Sequence, residues 1–189
     1  MSRRFLLVGV VAAALALGSA PAGATVIDRE QYSGTDEYSL DDCGFTLDVV
    51  STFYGQSLVR VDKTGQAFLD TDILHFRNVL TNPDTGQWFV VRGHGLFHDI
   101  KATQVEGTVY EFNAVEAGQP FVIEDAEGNV IVRDRGVIRH AYLFDTLGTG
   151  QPGGEFIANL QLVVHGPHPG FAEDFPFCAI AAELTGVPE

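Results

Sequence analysis

Cysteine, lysine and methionine are scarce in this 189-residue sequence, which contains two, two and one of them respectively. The two cysteines form no CxxC motif and have no His or Cys partner at zinc-finger spacing, which excludes a structural zinc site of that kind. The motifs GxSxG and HExxH are also missing, so the common signatures of serine hydrolases and zinc proteases are absent. No specific activity follows from short motifs.

Positive charge is also scarce. The chain has 11 Lys and Arg residues against 25 Asp and Glu residues, a formal net charge of −14. Residues 1–24 contain two of the arginines and no acid, so the remainder carries 9 − 25 = −16. Such a charge disfavours nucleic acid and anionic membrane surfaces, and we expect neither as a partner.

One long apolar run occurs, at residues 5–17, directly after two arginines. A basic start, a short apolar stretch and the small residues at 22–24 are the parts of a secretory signal peptide. We predict a signal peptide over residues 1–24 and a mature chain that begins at Thr25. The apolar run is shorter than the roughly 20 residues that span a membrane, so we expect a secreted protein without membrane insertion.

In an oxidising compartment, an even and minimal number of cysteines indicates a structural bridge. We therefore predict a disulfide between Cys43 and Cys178, with two free thiols as the alternative. Closing so long a loop would stabilise the fold by about 5 kcal/mol at most in the chain-entropy treatment.

Short β-branched and aromatic runs, separated by clusters of Gly, Asn, Asp and Pro, dominate the chain after Gly44 and predict an all-β fold. Residues 25–42 show no periodicity, and we assign them to an extended arm before a single domain at 43–189. One helix is predicted at 174–184, from its acidic start and Ala-rich body. The candidate strands are 45–54, 58–63, 68–80, 88–98, 103–115, 121–124, 130–145 with a bend at Gly136, and 155–165.

Two loops favour antiparallel pairing of consecutive strands. Residues 81–86 and 125–129 place Gly, and in the first loop also Pro, where hairpins need them. A long antiparallel sheet must close, stack or cover its edges, and closure removes the edges altogether. We predict an antiparallel barrel of about eight strands, with the disulfide tying the C-terminal helix to the first strand.

Polar residues on predicted inward faces are the candidate ligand-binding residues. Strand 130–145 places Asp134, His140 and Tyr142 on an apolar face, where a polar group needs a partner or a role. The simpler interpretation is an internal hydrogen bond, and the functional one is a polar contact in a ligand cavity. Asp70 and Asp72 share one face of their strand, about 6.7 Å apart, either as a functional carboxylate pair or as a solvated strand end.

His165 and His168 flank a Gly-Pro turn and are the candidate metal ligands. No further spaced ligand accompanies them, and prolines stiffen the turn without any metal. We therefore predict no metal and no cofactor.

Several features together resemble small secreted β-rich proteins of GC-rich Gram-positive bacteria. They are the predicted signal peptide, the hairpin at 81–86, the segment at 134–136, the loop at 152–154 and the terminal cysteine helix. The resemblance implies no activity, because its motifs are turns and core positions. In strand count the chain is also similar to allene oxide cyclase and dirigent-type barrels, which enclose apolar ligands; this is an analogy of fold only.

Two classes of function remain open. The first is a non-enzymatic barrel that binds a small apolar molecule or a protein partner. The second is a barrel enzyme, an isomerase or cyclase, or a hydrolase that uses a carboxylate with His140. A purely structural role in the cell envelope is the third alternative.

Overall fold

The structure, a computed structural model, describes residues 25–171 and 174–187. The predicted signal peptide at 1–24 lies outside the described residues. Eight antiparallel strands form one sheet, which confirms the all-β prediction. A short 3₁₀ helix at Pro169–Phe171 and one α-helix, α1 (Phe177–Leu184), follow the strands in the described part of the chain. The strands are β1 (Thr25–Leu40), β2 (Leu47–Val61), β3 (Phe68–Thr81), β4 (Trp88–Glu106), β5 (Val109–Glu124), β6 (Val130–Arg133), β7 (Gly136–Asp145) and β8 (Glu155–His165).

Turn residues located both hairpin loops, whereas the structure joins predicted strands 45–54 and 58–63 into β2 and extends β4 from the predicted end at 98 to 106. Both predicted hairpin loops are present, between β3 and β4 and between β5 and β6, and their glycines Gly86 and Gly128 have φ values of 70° and 87°. The predicted bend lies at Gly136, where φ is 146° and a Cβ atom would lie 2.1 Å from the His165 carbonyl oxygen. Only glycine fits this close approach.

Within the described residues, no helix is long and apolar enough to cross a membrane.

The first strand corrects the prediction that residues 25–42 form an extended arm without a regular element. β1 pairs with β2 along its whole length, from Thr25 opposite Val61 to Leu40 opposite Leu47. Most β1 side chains are exposed. Because neither face of β1 is buried, its residues need not alternate between apolar and polar, and the sequence therefore shows no strand period.

The sheet is open, so the predicted closure into a barrel is not confirmed. The strand order is β1-β2-β3-β4-β5-β7-β8, with β6 paired to β5, and β1 and β8 form its two edges. The edges differ in chemistry: β1 is polar and acidic, whereas β8 exposes Phe156, Leu160 and Leu162. The side chains of β1 and β8 are therefore poorly matched for pairing these two edges into a closed barrel.

One face of the sheet, which we call the inner face, carries the main core. Leu80 and Phe89 are opposite each other on β3 and β4 and are almost fully buried. Helix α1 covers this end of the inner face through Ala181, and its Phe177 ring lies 6.2 Å from the ring of Phe89. This core therefore fills only one end of the inner face, and the side chains at the other end do not belong to it.

Cys43 and Cys178 form the predicted disulfide, with their Cα atoms 5.1 Å apart. Cys178 lies in α1, but Cys43 lies in the turn between β1 and β2 and not on a strand. The bridge therefore ties the helix to a turn, which corrects the expected attachment to a strand. A disulfide indicates a non-reducing environment.

Candidate functional site

Beyond the core, the inner face holds a cavity of about 320 Å³. Asp70 of β3 and Asp99 of β4 lie in its wall, and Pro152 and Gly153 of the loop after β7 border it. The remaining wall is mainly apolar, so the cavity combines an aromatic surface with a few polar groups, as ligand pockets do. Five aromatic side chains line it: Phe68, Phe97, Phe112, Tyr142 and Phe144.

Strand register brings these rings together. Phe112 of β5 is directly opposite Tyr142 of β7, and opposite residues of an antiparallel pair share a face. Their rings stack with centroids 5.3 Å apart. The Phe144 ring meets Phe112 edge-on at 5.8 Å. Both are favourable aromatic geometries, and they hold this wall of the cavity in place.

Asp99 is the buried polar centre of the cavity, with 3% of its surface exposed. The Tyr142 hydroxyl donates to its Oδ1 at 2.9 Å, and the backbone N–H of Asp70 donates to its Oδ2 at 3.0 Å. Arg60 donates to the backbone carbonyl of Asp99 at 3.2 Å and makes no hydrogen bond to the carboxylate. Each carboxylate oxygen thus has one donor from the protein and can accept another.

Burial raises the pKa of the Asp99 carboxyl, and it outweighs the lowering effect of the Asp70 N–H and the Tyr142 hydroxyl. The folded state therefore holds the proton on Asp99 more tightly than the unfolded chain does. Its contribution to stability is largest below the unfolded pKa of about 4, and it is lost as the pH rises through the raised folded-state pKa.

This shift predicts a pH-dependent effect of Asp99→Asn. As the pH rises from about 4 to about 7, the variant should gain stability relative to wild type, because only wild type must ionise the buried carboxyl. Urea unfolding of both proteins at both pH values measures this change. Asp70, His98 and Tyr142 surround the group in both proteins, so the comparison isolates the Asp99 carboxyl. A stability difference that does not change with pH would contradict the assignment.

A second, smaller cavity of about 200 Å³ continues along the inner face, and it shares Phe97 with the first. Asp72 and Glu116 line it. The Tyr32 hydroxyl of β1 donates to both Asp72 oxygens, at 2.9 and 3.0 Å. Burial and this hydrogen bond raise the pKa of Tyr32 to about 12, so the phenol remains a neutral donor. The two cavities adjoin at Phe97, and we refer to them together as the inner trough.

The predicted site residues separate into two groups. Asp70 and Tyr142 line the larger cavity and Asp72 lines the smaller one. His140 and Asp134 line neither. His140 Nε2 lies 2.9 Å from Glu116 Oε1, and Asp134 Oδ1 lies 2.5 Å from Nδ1 of a histidine in the C-terminal segment, His168.

The two histidines considered as metal ligands have different surroundings. His168 is buried against Asp134, whereas His165 is exposed at the end of β8. Among the described residues, no group of three or more His, Cys, Asp or Glu side chains is arranged to hold a metal.

Asp99, Tyr32 and most of the aromatic wall were not among the predicted site residues. Asp99 follows directly after the predicted end of its strand at residue 98, and Tyr32 fell in the predicted arm. Alternation could have found Phe97 and Asp99, because both lie on the inner face opposite the Asp72 and Asp70 region of β3. Tyr32 gave no signal, since its partner is 40 residues away.

No protein-family model, no curated protein and no solved structure matches this chain. A function can therefore be argued only from the geometry of the inner trough. The resemblance to secreted proteins of Gram-positive bacteria stays a prediction.

Proposed function

We propose that this chain is a secreted, non-enzymatic protein that binds a small, mainly apolar molecule in the inner trough. The observation that carries the proposal is the 320 Å³ cavity, whose aromatic wall converges on the carboxylates of Asp70 and Asp99. Its volume lies at the lower end of the range of pockets that hold small organic ligands, about 300–1,000 Å³.

The contrast between the two ends of the inner face supports a binding role. At one end, Leu80, Phe89 and Ala181 pack together and leave almost no exposed surface. At the other end the rings of Phe112 and Tyr142 pack on each other, and both still border open space. Phe112 itself is buried, but the half-buried rings of Phe97, Tyr142 and Phe144 leave aromatic surface at the cavity that a bound apolar molecule would cover.

A cleft between β1 and the loop after β7 supports the barrel-like form of the proposal. Gln151 and Pro152, in the loop after β7, line a cleft together with Ile27 and Asp28 of β1. The chain beside β8 therefore approaches the opposite edge of the sheet. We propose a barrel-like shell whose seam between β1 and β8 is unpaired, with the ligand inside. Export to an oxidising compartment fits the disulfide and the N-terminal apolar run.

The alternative, an enzyme that uses His140, has less support. His140 contacts Glu116, so an imidazole base and a carboxylate lie within hydrogen-bonding reach of each other. However, in the described part of the chain no hydroxyl or thiol is hydrogen-bonded to His140, and a nucleophile next to the base is what such chemistry needs.

The proposal is tested by filling the cavity. Val59 lines it from β2, whereas Leu58 is on the opposite face of the same strand. Phenylnaphthylamine, a neutral apolar probe that fluoresces in dry surroundings, should bind wild type and the Leu58→Trp variant. Val59→Trp should weaken this binding by about tenfold or more, because the indole occupies the site.

The two variants differ only in the face that receives the indole. Thermal unfolding followed by circular dichroism checks that both are folded. If the probe binds Val59→Trp as tightly as Leu58→Trp, or does not bind wild type, the proposed function is wrong.

A further inference from the structure

Four carboxyl groups line the inner trough, and among the described residues Glu116 is the one that contacts a basic side chain, that of His140. Asp70 and Asp99 line its larger cavity, and Asp72 and Glu116 line its smaller one. No Lys or Arg among the described residues lines either cavity. The hydrogen-bond donors to Asp72 and Asp99 are neutral: the hydroxyls of Tyr32 and Tyr142 and the backbone N–H of Asp70.

The Lys and Arg side chains of the described residues lie outside both cavities. Arg77 and Arg92 are opposite each other on β3 and β4, on the face away from the trough, and Arg92 pairs with Glu124 at 2.5 Å. Arg60 reaches Asp99 only at its backbone carbonyl. A carboxylate that is desolvated without a cation is costly, and a bound cation would remove that cost.

The aromatic wall favours an organic cation over a metal ion. The negative faces of aromatic rings attract ammonium groups within about 6 Å, and the effect grows as water is excluded. The wall of the larger cavity provides such rings, including Phe97, Phe112 and Tyr142, beside the two carboxylates. A metal would need a set of converging ligands, and the described residues contain no such group.

We propose that the ligand of the inner trough carries a protonated amine, with the ammonium group at Asp70 and Asp99 and the apolar body against the aromatic rings. This proposal rests on the proposed function and specifies the class of its ligand. The ammonium hydrogens would donate to the Asp70 carboxylate and to the second acceptor position of each Asp99 oxygen. The partial burial of the cavity strengthens both contacts.

Three probes of similar shape test the inferred positive charge of the ligand. Phenylbutylamine is cationic at neutral pH, phenylbutanol is neutral and phenylbutanoate is anionic, and the cavity has room for a phenyl ring with a short alkyl chain. Isothermal titration calorimetry on the mature protein should show the amine binding about tenfold or more tightly than the alcohol, and the acid binding weakest.

Two variants and one control test whether the ammonium group binds at Asp70 and Asp99. Asp99→Asn and Asp70→Asn should each weaken amine binding by about tenfold and leave alcohol binding within about twofold. Asp84→Asn makes the same change of net charge in the exposed hairpin loop between β3 and β4 and should affect neither probe. Asp70 is less buried than Asp99, so Asp70→Asn serves if Asp99→Asn does not fold, and retained alcohol binding reports an intact cavity.

Each outcome decides between the proposals. If neither the amine nor the alcohol binds wild type, the proposed function fails and this inference with it. If the alcohol binds and the amine binds no more tightly, only the inferred charge is wrong. If the amine is favoured but Asp84→Asn weakens it as much as Asp70→Asn does, the preference reflects the general acidity of the chain, and the placement of the ammonium group in the trough is overturned.

Discussion

Replacing both bridge cysteines, Cys43→Ala with Cys178→Ala, is expected to lower the free energy of unfolding by about 2–5 kcal/mol. The bridge spans 135 residues of sequence, so its loss frees a long loop of the unfolded chain. It also releases α1, whose Ala181 and Phe177 close one end of the core. Urea denaturation of the variant and of wild type, both without reductant, measures the difference.

Reduction of wild type provides the control for this substitution. Wild type treated with a phosphine reductant should unfold at the urea concentration that unfolds the double variant, since both lack the bridge and keep every other contact. The variant itself should not respond to the reductant. A loss below about 1 kcal/mol would mean that the packing of α1 holds the fold together without the bridge.

Removing the buried imidazole, His168→Ala, should destabilise the fold by about 3–5 kcal/mol. The His168 and Asp134 side chains are 2% and 1% exposed, and Nδ1 lies 2.5 Å from Oδ1. Without His168, the carboxylate stays buried and loses this partner, which costs more than a surface pair of the same kind.

The chain provides a matched control in its other histidine–carboxylate pair. His140 and Glu116 are 2.9 Å apart, but their side chains are 20% and 42% exposed. Water can replace the lost partner there, so His140→Ala should cost at most about 1 kcal/mol. Equal losses of stability for the two variants would show that burial does not determine the effect. They would contradict the interpretation that Asp134 makes a structural, internal hydrogen bond.

Part of the fold could be predicted because local signals determine it. β8 has the predicted bounds of 155–165, and both hairpins form where Gly86 and Gly128 allow a positive φ. In β7 the face predicted to look inward does so, with Ile138 buried and Tyr142 in the cavity wall. The alternation of side chains in a strand is a property of consecutive residues, and a sequence shows it directly.

The candidate site was harder to predict because its residues depend on distant partners. Asp134 and His140 share the inward side of one predicted strand, yet Asp134 is paired with His168 outside the cavities and His140 with Glu116, which lines the smaller cavity. Asp70 became part of the site because Asp99, 29 residues away, lies beside it. Strand register across the sheet selects these neighbours, and no local pattern encodes it.

The sequence by itself determined the β-rich class, the turns, the acidic charge and the disulfide, since two cysteines allow a single intramolecular pairing. Only the tertiary structure decided that residues 25–40 form a strand, that the sheet stays open and that the aromatic rings and carboxylates meet in one trough. The physical reason is the range of the interactions. Turn conformation and alternation act between neighbours in the chain, whereas edge pairing and cavity walls depend on contacts between strands far apart in sequence.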